Sequence, residues 1–399
     1  MRRCFVSYTE PHRGGSGRLL RTRKNYFCCV SHSRVIVDRL EVRNVRNVAQ
    51  AQLQLDPGVT FVTGPNGAGK TTLLECFHLL ARGRSFRAGG LNTLISFGEQ
   101  DLLVSAMGLH YRTPMRIGLQ KGRSSKVRMR MNEADVRQVS QIAAAIPLQL
   151  ILPDAADLVF GSPARRRLWL DWLVFHTDNG YLQELRTFQR VLRQRNAALR
   201  NRSADVSSWT AQLSQYAERV SQRRLDALVS LRASFEQVLR EFAPNIRIFL
   251  DYDRGWPEDN LLEGLAKDHR FELKYGVTRL GPHRSDVRVR ALDFDTGNDA
   301  GSAARVLSRG QGKAVACAMK LAQVRYLNAR SIQSVVLLDD IASEFDDEYG
   351  RKFLGALRGT ETQAIATTTQ ESDIIKLWKS VAGTRPPLIR IHNGQTTQA

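Results

Sequence analysis

The sequence predicts an α/β fold: a head that carries an antiparallel β subdomain and is split by an inserted helical lobe. Three observations predict it. A glycine-rich loop, Gly64–Thr71, separates a short β-branched run from a helix-period stretch. Strand and helix signals alternate on either side of the chain's middle. Residues 151–275 between them carry mostly helical spacing.

The elements follow in chain order. Residues 1–33 are rich in arginine and glycine and lack the apolar stretch of a secretory signal. They read as a basic leader, disordered or upstream of the true start, with an extra polyanion-binding arm as the alternative. Val35–Val37 and Leu40–Val42 alternate with charges, as an edge strand does. Leu53 and Leu55 share one face of a second strand, Pro57-Gly58 turns the chain, and Val59–Thr63 is a buried strand. Thr71–Leu80 follows as a helix. Leu102–Leu109, Met115–Leu119 and Val127–Met131 are short alternating strands, with a hairpin turn at Lys121–Ser125, and make the antiparallel sheet.

Arg165–His176, Tyr181–Asn201 and Ser208–Phe242 have helical spacing. In the last, Leu225, Leu228, Leu231, Phe235 and Leu239 recur at threes and fours. Asn245–Asp251 and Val287–Leu292 read as strands, Gly310–Leu327 as a helix, Val335–Leu338 as a buried strand, Asp346–Leu357 as a helix and Gln363–Thr367 as a strand. The expected divisions are the leader 1–33, the first part of the head 34–150, the helical lobe 151–275 and the second part of the head 276–399.

The loop Gly64-Pro65-Asn66-Gly67-Ala68-Gly69-Lys70-Thr71 matches G-x-x-x-x-G-K-[ST] and has the strand-to-helix context that the motif requires. Its glycines let backbone N–H groups converge on phosphates, and the following helix, which begins with Thr71 and Thr72, adds its positive end. Lys70 is the candidate for the β- and γ-phosphates, and the Thr71 hydroxyl for Mg²⁺. Downstream, Val335–Leu338 ends in Asp339 and Asp340. Two adjacent carboxylates at the end of a buried strand call for a cation. Asp339 is the metal-side acid and Asp340 the base that polarises a water. Alone, such a pair is equally well a solvated strand end. Leu307-Ser308-Arg309-Gly310-Gln311 opens a helix and forms a second anion-binding surface.

Charge points to the partner. Among 399 residues, Lys+Arg number 59 and Asp+Glu 39, a formal net charge of +20. Such a surplus suits a polyanion; nucleic acid is the natural one and an anionic membrane surface the rival. No long apolar run is present to span a bilayer. The cysteines Cys4, Cys28, Cys29, Cys76 and Cys317 show no CxxC spacing, so neither a disulfide framework nor a zinc motif is expected, and a reducing compartment fits.

Arg186, Arg190 and Arg193 fall on one helix face, Arg165-Arg166-Arg167 opens another helix, and Arg82, Arg84 and Arg87 follow the loop's helix. Each is a candidate phosphate contact, against the plainer reading of a solvated charge. No zinc finger, helix-turn-helix or RNP motif is visible, so base-specific readout is not expected. His283 reads as a hydrogen-bonded structural histidine rather than a catalytic one.

The order of phosphate loop, Ser-x-Gly-Gln helix and Asp-ended strand resembles that of ABC-type ATPases, with Ser308, Arg309, Gly310 and Gln311 as the signature. Further segments resemble the RecF family in particular. They are Gly83-Arg84-Ser85-Phe86-Arg87, Arg195-Asn196-Ala197-Ala198-Leu199, Gly281-Pro282-His283-Arg284-Ser285-Asp286, the opening Leu40–Asn47, and Asp339–Asp346 as acidic strand end and D-loop with Ser343 and Asp346. Together they span about residues 34–375.

The resemblance implies an SMC-like head without a long coiled coil, and ATP-driven head-to-tail pairing in which Ser308, Arg309, Gly310 and Gln311 act on the partner's nucleotide. It implies cytoplasmic, nucleoid-associated work on single-stranded and gapped DNA, with RecO and RecR as partners, RecA loading and SOS induction as outcomes, and ATP and Mg²⁺ as cofactors. Asp340 stands where most ABC ATPases carry Glu, and its shorter reach implies slow hydrolysis. Thr367-Thr368-Thr369 occupies the expected switch region, and Gln149 is a weak candidate for the Q-loop. The rival readings are a structural ATP-gated adaptor with incidental hydrolysis and a transporter ATPase subunit. The long interval from Lys70 to Ser308 and the basic insertion argue against the transporter.

Overall fold

The computed structural model describes residues 36–257, 259–340 and 347–398, so the leader and the D-loop positions Ser343 and Asp346 lie outside the described residues. A six-stranded sheet forms the floor of the head, in the order β15-β14-β3-β13-β12-β8. Its strands are β3 (Val59–Thr63), β8 (Leu148–Ile151), β12 (Val335–Leu338), β13 (Gln363–Thr368), β14 (Leu388–His392) and β15 (Gln395–Gln398). All pair in parallel except β15, which closes one side antiparallel to β14. Every residue of β3, β12 and β13 is buried, as expected of strands covered on both faces.

Above it lies an antiparallel sheet, in the order β2-β1-β4-β5-β6-β7. It contains β1 (Ile36–Val45), β2 (Val48–Gln54), β4 (Asp101–His110), β5 (Thr113–Gly122), β6 (Arg128–Met131) and β7 (Ala134–Asp135). The expected edge strand is corrected here: β1 is hydrogen-bonded to β2 on one side and β4 on the other. Its alternating charges mark a solvent face, and an alternation of period two says nothing about position within a sheet. Helix α1 (Lys70–Arg82) lies between the two sheets and is buried from Thr72 to Ala81. Leu73, Leu74, Phe77 and Leu80 join Val42, Leu53 and Val104 above to Val62, Leu337 and Ile365 below in one apolar core.

Apart from α2 (Val139–Ala145), which packs on α1, the helices that follow cover the other face of the parallel sheet. After α2 and α3 (Asp157–Phe160) come α4 (Pro163–Thr177), α5 (Tyr181–Arg200), the 37-residue α6 (Val206–Phe242) and α7 (Leu261–Tyr275). Then follow α8 (Ala303–Val306), α9 (Arg309–Asn328), α10 (Asp347–Arg358) and α11 (Glu371–Ala382). A three-stranded antiparallel sheet, β11 (Asp299–Ser302), β10 (Asp286–Leu292) and β9 (Ile248–Asp253), ties the segment before residue 275 to the one after it. On α6, Leu228, Leu231, Phe235 and Leu239 are buried, and the helix packs on α5 and α9.

Buried arginines fix this half. Arg195 is fully buried and donates to Thr210, Thr278 and Glu272, the last at 2.6 Å. Arg224 bonds Asp171, the Pro282 carbonyl and Ser285. Two of the segments singled out in sequence therefore serve as joints: Arg195 ties α5 to α6 and α7, and 281–286 is tied to α6 and α4.

Candidate functional site

The loop between β3 and α1 is shaped by close approach. A Cβ at Gly64 would stand 2.2 Å from the Ile391 carbonyl oxygen of β14. Gly69 ends the loop as N-cap of α1 with φ 112°, and a Cβ there would meet Val48 Cγ2 at 2.9 Å. Only glycine satisfies both the space and the left-handed backbone. Pro65, Asn66 and Gly67 are exposed, whereas Ala68, Gly69 and Lys70 are buried. Lys70 Nζ donates to the carbonyls of Gly64 and Pro65 at 2.7 and 2.9 Å. Burial lowers the Lys70 pKa, opposed by the charges of Asp340 and Asp339.

Sequence reasoning missed what braces the loop. Asn47, in the turn joining β1 to β2, donates to the Gly67 carbonyl at 2.6 Å and accepts from Thr72 Oγ1 at 3.2 Å. Its neighbour Arg46 has φ 53° and is bidentate to buried Glu75 at 2.6 and 2.8 Å. Ser85 also donates to Glu75. Burial would raise the Glu75 pKa, but the bonds from Arg46 and Ser85 outweigh it and hold the carboxyl below its ordinary value. The segment 83–87 thus helps anchor the turn that holds the loop.

The two acids meet the loop at the ends of the parallel strands. Asp339 Oδ1 accepts from Thr71 Oγ1 at 3.0 Å and from Thr367 Oγ1 at 2.7 Å. The Asp340 amide donates to the same Thr367 hydroxyl at 2.8 Å, and Asp340 has φ 51°. Thr367 is therefore the member of the threonine run that touches the acids, a role its sequence did not single out. An alcohol and a carboxylate oxygen side by side suit a hard cation whose other ligands are phosphate oxygens and water. Among the described residues no cluster of three or more His, Cys, Asp or Glu side chains could hold a metal without such help.

Ser308 caps α9 in a reciprocal box: its hydroxyl accepts from Gln311 N at 3.3 Å, and Gln311 Oε1 accepts from Ser308 N at 2.9 Å. Ser308, Arg309, Gly310 and Gln311 are all exposed. A Cβ added to Gly310 would meet open space, whereas at Gly312 it would fall 2.2 Å from the Phe160 ring. Gly312 is explained by packing within the chain, and Gly310 is not.

Other expected contacts divide. Arg186, Arg190 and Arg193 are exposed on one face of α5 and line a shallow groove with no acidic side chain. Arg84 is exposed, while Arg87 stands 3.8 Å from Glu75. Arg82, half-buried, donates to the Leu148 carbonyl at 3.2 Å. The run Arg165–Arg167 is corrected: Arg165 pairs with Asp154 and Asp157, buried Arg166 with Asp286 at 2.7 Å, and Arg167 donates to the Ser285 carbonyl. The Arg166 and Arg167 guanidiniums are spent on structure, whereas Arg165 stays exposed in surface ion pairs. Gln149 is corrected too; it lies buried in β8 and donates to Gln323 at 2.8 Å. His283 is half-buried, bonds the Thr278 carbonyl at 3.0 Å and is pushed down to about 4 by desolvation, as a structural histidine would be.

A phosphate loop after β3, an acid-ended strand β12 separated from it by β13, and a separate Ser-capped helix define an ABC-type ATPase head of the SMC class. The family described as RecF/RecN/SMC N terminal domain matches residues 36–386. The DNA replication and repair protein RecF of Vibrio vulnificus (strain YJ016) is 32% identical over 343 residues, 85% of this chain and 94% of that protein. Its counterpart in Marinomonas sp. (strain MWYL1) is 33% identical over 353 residues, 87% of this chain and 94% of that protein. Among solved structures, the recombination mediator protein RecF-ATP in the RecFOR pathway superposes with a TM-score of 0.78 at 24% identity, covering 93% of this chain and 99% of that one. An Smc head bound to the C-winged helix domain of ScpA gives 0.56 at 14% identity, covering 91% and 96%. The chain belongs to the RecF family.

Proposed function

We propose that this chain is an ATP-dependent DNA-binding protein of replication and recombinational repair. It acts at single-stranded and gapped DNA with RecO and RecR to load RecA, upstream of SOS induction, in the bacterial cytoplasm. One observation carries the nucleotide half of the reading: Thr71 of the loop and Asp339, separated by 268 positions, share a hydrogen bond beside buried Lys70. Loop amides take the phosphates, and Lys70 leaves the Gly64 and Pro65 carbonyls for the γ-phosphate. Thr71 and Asp339 would hold Mg²⁺, which would supply charge neutralisation at the reacting phosphate. Asp340 polarises the attacking water, slowly because its carboxylate is short.

The exposed Ser308–Gln311 helix end completes a second copy's site. The open space around Gly310 supports this, since nothing among the described residues requires a glycine there. DNA phosphates are held by Arg186, Arg190 and Arg193, with Arg84 and Arg87 contributing. No helix of the described residues is long and apolar enough to cross a membrane.

The test is complementation. Neither Lys70→Met nor Ser308→Arg alone pairs with ATP. Mixed, they assemble one intact site from the loop of one chain and the signature of the other, and partial ATP-linked pairing returns. If the mixture stays monomeric while each variant remains folded, the signature does not act across the interface.

A further inference from the structure

Helix α7 turns an aromatic and basic face to solvent. Phe271 and Tyr275, one turn apart, are 40% and 54% exposed. Their ring centroids lie 4.3 Å apart with planes inclined at 36°. The Arg279 guanidinium sits 4.3 Å over the Phe271 ring, and Lys274 Nζ is 5.3 Å from the centre of Tyr275. Arg279, which also stands 3.7 Å from Asp268, thus forms with Phe271 and Tyr275 a ladder already stacked on the surface.

Beside the ladder runs a groove of about 820 Å³ between α7 and the turn that opens α6. Arg202, His269, Arg270 and Lys274 line it, and it has no acidic lining residue. Lys274 belongs to both features, so the cationic groove and the ring ladder form one continuous strip.

We propose that this strip binds single-stranded nucleic acid. Unpaired bases stack on the outer faces of the Arg279, Phe271 and Tyr275 ladder, while backbone phosphates follow Arg202, Arg270 and Lys274 along the groove. The inference rests on the DNA-binding reading above and says where an unpaired strand is held. The chemistry is selective. Every base has a π-face, so stacking is indifferent to sequence, but a duplex hides those faces between its own pairs. A surface meant only for duplex phosphates needs cations and no rings, which describes the α5 face of Arg186, Arg190 and Arg193. An acidic peptide with apolar anchors wants a pocket for each anchor, whereas these rings lie stacked on the surface.

The experiment uses the full chain with ATP and Mg²⁺, a labelled oligothymidylate of about 20 nucleotides, and a blunt duplex of the same length, read by fluorescence anisotropy. F271A/Y275A weakens strand binding about tenfold or more and leaves duplex affinity within about twofold. F271Y/Y275F, which keeps both rings, restores it. R270A/K274A lowers the salt slope of strand binding by about one to two. Unchanged strand affinity in F271A/Y275A overturns the proposal. So does an equal loss for strand and duplex, or a loss of protein–protein pairing alone, which would make the strip a protein contact. If the parent binds duplex but no strand, only this site falls; if it binds neither, the DNA-binding reading falls with it.

Discussion

Lys70, Asn47 and Asp340 divide the work of the nucleotide site, and each has its own signature on substitution. On the proposed function Lys70 exchanges its loop carbonyls for phosphate, so Lys70→Met is expected to remove ATP-linked pairing, measured by light scattering. Asn47 holds Gly67 and Thr72. Asn47→Ala costs one hydrogen-bonded brace, about 1 kcal/mol, and weakens ATP binding about fivefold. Thermal stability should move by only about 2 °C. Asp340→Asn keeps nucleotide binding but slows DNA release after ATP addition. Release as fast as in the parent would show that hydrolysis does not set the cycle. The loop and the two acids were legible because their chemistry is local: a strand, a glycine turn and a helix lie in one run, and two acids end one apolar strand. Asn47, Arg46 and Thr367 were not, because each acts on a partner from a distant part of the chain.

Gly310 and Gly312 sit two residues apart on α9 with opposite surroundings. Gly312→Ala drives a methyl into Phe160 and destabilises the fold by about 1–3 kcal/mol in chemical denaturation. Gly310→Ala leaves monomer stability within about 0.5 kcal/mol and reduces ATP-linked pairing. A fall in monomer stability with Gly310→Ala would return that glycine to ordinary packing. The strands were legible where β-branched runs were long enough, as in β3 and β12. Strands β8 and β14 escaped because each is a short apolar stretch behind proline, Pro147 and Pro386-Pro387, where flanking residues suggest a loop. Arg165–Arg167 misled for the opposite reason: a run of charge looks solvated, yet Arg166 finds Asp286 120 positions away.

Across the whole molecule, α1 lies between two sheets on one side, while buried ion pairs fasten the helices on the other. Arg195 and Glu272 are the deepest such pair, both fully buried. Arg195→Ala strands a carboxylate in the core and costs about 3–5 kcal/mol by urea unfolding. The net charge of +20 predicts DNA affinity that falls steeply with salt. On the proposed function, two copies close over a shared pair of nucleotides, and this closure grips DNA. Sedimentation of the purified chain with saturating ATP, Mg²⁺ and gapped duplex tests it most directly. Conversion from monomer to dimer is expected, absent in Lys70→Met; a parent chain that stays monomeric under those conditions refutes the closure.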